Sequence, residues 1–115
     1  MRYLLMFGSA LAVLFSTAVQ AKTSQVDRYN ALVMSGNRAA MAGDFDRAIV
    51  NWQTAIPLDP SPNRRCRGVW LRNAIRAAHD TQSMIRQGKL RLSQAPAWFN
   101  NHETELWLPN ICNSN

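Results

Sequence analysis

Apolar residues follow three different rhythms along this chain. From Leu4 to Val19 they are nearly continuous. From Phe45 they recur at three- and four-residue spacing, as Phe45, Ala48, Ile49, Trp52, Ala55 and Ile56, which places all six on one face of a helix that must be buried. A further helical pattern runs through Cys66, Val69, Trp70, Asn73, Ala74, Ala77, Thr81, Met84 and Ile85. Punctuation between these segments predicts where the helices begin and end. Gly43 can adopt the left-handed conformation that closes a helix, and Asp44 or Asp46 can accept a hydrogen bond from free amides at the start of the next. A tight antiparallel hairpin follows. Pro57 removes a backbone donor and clashes one turn back, so the second helix should stop near Ile56. Ser61 as cap and Pro62 as first helical residue predict a third helix reaching about Gln87, with Gly88 as its stop. A separate helix from Asp80 through Leu92 fits the same pattern. The expected fold class is all-α.

Within this pattern, small residues stand at Gly36, Ala48 and Ala55, a large one at Trp52, and a proline at Pro60. Counted from Tyr29, these are the eighth, twentieth, twenty-seventh, twenty-fourth and thirty-second positions, and in that register residues 29–62 resemble a single tetratricopeptide repeat. The resemblance implies a helix pair whose crossing points demand small side chains. It also implies binding of other proteins without chemistry. Leu32, Ser35, Ala39 and Pro57 depart from the repeat's usual residues. The family's ligand-facing positions fall on Asn30, Val33, Asn37, Ala40 and Met41, with Asn37 where an asparagine often holds the backbone of a bound peptide. Val33 stands where carboxylate-clamping members carry lysine, which argues against recognition of a free C-terminal carboxylate. Residues 63–95 fit the repeat poorly, because Trp70 lies where a small residue belongs, so they are read as a capping helix or a degenerate second repeat. About three repeats are normally needed for a stable stack. The core must therefore be completed by the third helix and by residues 96–115, an aromatic tail carrying Trp98, Phe99, Leu106, Trp107, Leu108 and Ile111.

The first 21 residues are of another kind. Met1, Arg2 and Tyr3 give a short basic start, the apolar run follows, and Val19-Gln20-Ala21 offers the small-residue ending that signal peptidase accepts. Sixteen residues interrupted by Gly8, Ser9, Ser16 and Thr17 are short against the roughly 20 that a membrane-spanning helix needs. The expectation is a secretory signal cleaved near Ala21, leaving 94 residues for one small helical domain, 22–95, and its tail. Export places Cys66 and Cys112 where disulfides persist, and a bond between them would fasten the tail to the start of the third helix. A metal site built from Cys66, His79, His102 and Cys112 is the alternative; its spacing fits no familiar zinc module.

Charge sharpens the functional picture. The sequence carries 13 lysines and arginines against 7 acids, a formal net charge of +6. Between Lys22 and Asp59 the two signs cancel. From Arg64 to Arg91 they do not: Arg64, Arg65, Arg67, Arg72, Arg76, Arg86, Lys89 and Arg91 face Asp80 alone. Arginine's planar fork suits paired contacts with carboxylate or phosphate. Arg64, Arg67, Arg72 and Arg76, together with Asn30 and Asn37, are therefore the candidate partner-binding residues. The expected partner is an acidic protein or peptide, with an anionic membrane surface as the alternative and self-association left open. Export makes nucleic acid a poor fit. No cofactor motif, phosphate-cradling loop or nucleophile elbow is present, and His79 and His102 have no partners suited to acid-base work nearby in sequence, so no enzyme activity is expected.

Overall fold

The computed structural model describes residues 24–107 and Cys112. The expected signal segment and its cleavage point, and Leu108 and Ile111 of the tail, lie outside the described residues. Among the described residues the fold is all-helical, with helix α1 at 24–41, α2 at Phe45–Ala55, α3 at Val69–Arg86 and α4 at Ala95–Trp107.

Local chemistry closes the α1–α2 corner in three residues. Gly43 takes the left-handed conformation at φ 82°. Its amide donates to the Ala40 carbonyl at 3.0 Å and the Asp44 amide to that of Ala39 at 2.8 Å, which satisfies carbonyls left free at the helix end. Asp44 then caps α2 by accepting from the Arg47 amide at 3.2 Å. The two helices fold back on each other so that Gly36 faces Trp52. As the spacing predicts, α2 buries Phe45, Ala48, Ile49, Trp52 and Ala55, and Pro57 converts its end into a short 3-10 turn, Ile56–Leu58.

The third helix begins later than the sequence suggests. Instead of starting at Pro62, residues 60–68 form a loop gathered around Asp59. One carboxylate oxygen of Asp59 accepts from the Ser61 amide and hydroxyl at 2.9 and 2.7 Å, and the other accepts from the Gly68 amide at 2.6 Å. Arg67 Nε adds a bond to the Ser61 carbonyl at 2.7 Å. Ser61 therefore serves Asp59 and caps no helix. Asn63 caps a 3-10 turn, Arg64–Cys66, and Gly68 stands at the start of α3 in the left-handed region at φ 70°. From Val69 the helix runs without a break through Asp80 to Arg86 and is closed just beyond, at Gly88, where the Gly88 and Lys89 amides reach back to Ile85 and Met84.

Burial pushes the Asp59 carboxyl up, but the hydrogen bonds from Gly68 and Ser61 and the nearby Arg67 charge outweigh it and hold the group below the ordinary carboxylate value. A carboxyl depressed on folding contributes stability above its unfolded pKa and loses it as the pH falls through the folded one. Acidification should therefore loosen residues 60–68 below about pH 4. Hydrogen exchange at the Gly68 amide, followed from pH 6 down to pH 3 in wild type and Asp59→Asn, checks this. The wild-type amide should lose protection on acidification, whereas the variant should be poorly protected throughout.

Inside, α3 packs against both α2 and α4. Its buried face is Leu71, Ala74, Ala77, Ala78 and Thr81. Leu71 and Ala78 extend the predicted face, while Cys66 falls in the loop before the helix. Thr81 avoids an unpaired hydroxyl by donating to the Ala77 carbonyl at 2.7 Å. The three alanines let neighbouring helices approach closely. The expected aromatic tail is in fact largely a helix: α4 covers Ala95–Trp107, with Pro96 in its first turn, where no helical donor is needed. It does complete the core. Ala95 is fully buried, and the Phe99 ring lies 5.6 Å from that of Phe45 and 5.8 Å from that of Trp52, stacked on the latter. Beyond α4, Cys112 is joined to Cys66 with a Cα–Cα separation of 5.7 Å.

Candidate functional site

Two features of the folded chain are candidates for recognition: an arginine surface and a hollow. The surface has two parts. Arg64, Arg65 and Arg67 project from the loop before α3 and are exposed. Along α3, Arg72, Arg76, His79 and Arg86 are exposed at helical spacing, on the side opposite the buried alanines. None of these arginines enters the core. Arg67 is partly engaged, through its bond to the Ser61 carbonyl. Arg64, Arg65, Arg72 and Arg76 form no ion pair or side-chain hydrogen bond with a described residue.

All seven acids lie among the described residues, and most are occupied away from these arginines. Asp44 caps α2 and pairs with Arg47. Asp46 accepts from Gln82 at 2.6 Å, tying α2 to α3. Asp59 holds the loop. Asp80 meets His102 Nε2 at 2.7 Å, and Glu105 stands 3.9 Å from the other ring nitrogen. Among the described residues, the positive charge of Arg64, Arg65, Arg72 and Arg76 is not neutralised by an ion pair within the fold.

The hollow, of about 240 Å³, opens between three helices. Asn37, Ala40 and Met41 come from α1, Trp70 from α3, and Phe99, Asn100 and Glu103 from α4. Three of the five predicted ligand-facing positions of α1 thus converge here. Asn30 is exposed farther along α1, and Val33 is half-buried against the core. Asn37 is not idle: its side-chain oxygen accepts from Trp52 Nε1 at 3.3 Å, which fixes the indole from the α1 side. Burial raises the Glu103 carboxyl above the ordinary range, and the Trp70 indole, hydrogen-bonding to it, offsets this only in part.

His79 is exposed, whereas His102 is partly buried. It sits between Asp80 and a stacked Trp98 ring 4.6 Å away, clasping α4 to α3. The cysteines are joined to each other, so the four-ligand alternative has no thiolates to offer, and no group of metal-ligating residues occurs among the described residues. Sequence reasoning missed Glu103 because residues 96–115 were read as a tail. Ala95, Phe99, Glu103 and Leu106, at four-, four- and three-residue spacing, carried the signal.

No protein-family model matches the chain, and neither a curated protein nor a solved structure does.

Proposed function

We propose that this is an exported helical adaptor, without catalytic activity of its own, that docks an acidic protein segment on the arginine surface of α3 and the preceding loop. The observation that carries the reading is the set of exposed arginines, Arg64, Arg65, Arg72 and Arg76, left without acidic partners in a fold whose own acids are mostly engaged elsewhere. Arginines placed this way can grip carboxylates in pairs, and the surplus charge steers an acidic partner during approach. The resemblance of residues 29–62 to a tetratricopeptide repeat gives the hairpin its role as scaffold. Export rests on the signal-like first 21 residues and is supported by the Cys66–Cys112 bond, a linkage that persists in oxidising compartments.

A helix that binds membrane surfaces presents apolar residues beside its basic ones. Here the apolar face of α3 is buried against α2 and α4, and the exposed large hydrophobics among the described residues, Val26, Met34, Met41, Val50 and Leu92, all lie off α3 and its loop. This favours a protein partner over a lipid surface.

The test compares binding of the oxidised protein to a glutamate-rich peptide and to anionic and neutral vesicles, at low and high salt. The peptide should bind in a salt-sensitive manner. Changing Arg64, Arg65, Arg72 and Arg76 together to alanine should weaken it by at least about tenfold, the loss expected for a few charge-assisted contacts. Binding to anionic vesicles alone would replace the protein reading with the membrane one, and an unchanged affinity in the four-alanine variant would overturn the surface.

A further inference from the structure

The hollow between α1, α3 and α4 is chemically the reverse of the arginine surface. Its sole charged lining residue is an acid, in a protein whose net charge is +6. We propose that this hollow receives one lysine or arginine side chain of a protein partner, with Glu103 as counter-ion and Trp70 and Phe99 as its aromatic walls.

Three observations support this occupant. First, Glu103 makes no ion pair with a described residue, although the chain is rich in arginine, and the hydrogen bond it accepts comes from the neutral Trp70 indole. A half-buried carboxylate without a counter-charge is unfavourable, and an incoming cation relieves that cost. Second, the walls suit an organic cation. Trp70 and Phe99 line the hollow with apolar ring surface for the methylene stem of a long cationic side chain, and the exposed Asn100 amide adds a polar contact. Third, the dimensions suit a side chain. About 240 Å³ falls below the roughly 300 Å³ at which pockets for drug-sized ligands begin.

The rim indicates that the cation belongs to a polypeptide. Met41 borders the hollow and is 67% exposed, and Met34, seven residues earlier on the same side of α1, is 58% exposed. Unbranched, polarizable methionines make an adaptable apolar surface, suited to the residues flanking an inserted side chain. A free amine would gain nothing from them. The inference is independent of the arginine surface, because it rests on different side chains and opposite charge.

The experiment follows the indole N–H resonance of Trp70 by NMR in the oxidised protein. The probes are a short peptide with one lysine between leucines, the same peptide with norleucine in place of lysine, and butylamine. The lysine peptide should shift the Trp70 signal in a saturable way. The norleucine peptide and butylamine should each bind at least about tenfold more weakly, since each lacks one half of the recognition. Glu103→Gln, which keeps the shape and removes the charge, should lose at least about tenfold in affinity for the lysine peptide. Should that variant lose its helical circular dichroism, Met41→Lys provides the second test: an ammonium supplied from the exposed rim should occupy Glu103 and suppress peptide binding. Equal binding of the lysine and norleucine peptides, or undiminished binding by a folded Glu103→Gln or Met41→Lys protein, overturns the cation site. Butylamine binding as tightly as the lysine peptide overturns the protein partner. A Trp70 signal unmoved by every probe overturns the proposal as a whole.

Discussion

Replacing Trp52 by alanine should destabilise the fold by about 3–5 kcal/mol, the range for deleting a large buried aromatic. Trp52 is 1% exposed and serves three helices at once. Its indole lies against α1, so close that a Cβ added at Gly36 would fall 2.6 Å from Trp52 Cδ1. It donates to Asn37 and carries the stacked ring of Phe99 from α4. A cavity there cannot be filled by one neighbour relaxing, because its walls belong to separate elements held by the hairpin corner and the disulfide. Chemical denaturation followed by circular dichroism gives the value. A loss of about 1 kcal/mol, typical of an average substitution, would show that Trp52 is not the joint between the hairpin and α4.

The second large effect should come from the disulfide. Cys66 and Cys112 are 46 residues apart, and closing a loop of that length is worth about 4 kcal/mol in the chain-entropy account. Small domains have only about 5–15 kcal/mol in total, so its loss should remove a large fraction of the stability. Changing both cysteines to serine, or adding reductant to the wild type, should lower the denaturation midpoint to a similar extent. Agreement between the two would assign the effect to the covalent bond. Equal midpoints with and without reductant would dismiss it. Reduction should also weaken binding of the glutamate-rich peptide, because Cys66 anchors the loop that presents Arg64, Arg65 and Arg67.

What could be read from sequence is what depends on near neighbours. The hairpin was legible because Gly43, Asp44 and Pro57 act on amides and carbonyls within a turn of themselves, and the buried face of α2 because its period is that of the helix. The start of α3 was not. Ser61 and Pro62 look like a helix start, but the Asp59 carboxylate takes the Ser61 hydroxyl and reaches across to Gly68, a bond visible only once the loop has closed. Helix α4 was obscured by a different cause: the polar His102 and Glu103 take half-buried places on its inner side, where Asp80 and Trp70 of α3 meet them, so the apolar spacing of Ala95, Phe99 and Leu106 is thin. The arginine surface was legible as charge, and its orientation followed from the buried period of α3. The hollow was not, because it exists only where α1, α3 and α4 meet.

Helix hairpins that bury their faces by stacking leave an end where the next one could be added. Here Phe99, lodged against Phe45 and Trp52, occupies such a face with the chain's own fourth helix. Lengthening the protein there by duplicating its hairpin would first require evicting α4, together with the aromatic contacts that make the present unit self-sufficient. Helix α4 thus acts as a built-in stopper, covering with the chain's own aromatic ring the surface that α1 and α2 would otherwise leave open.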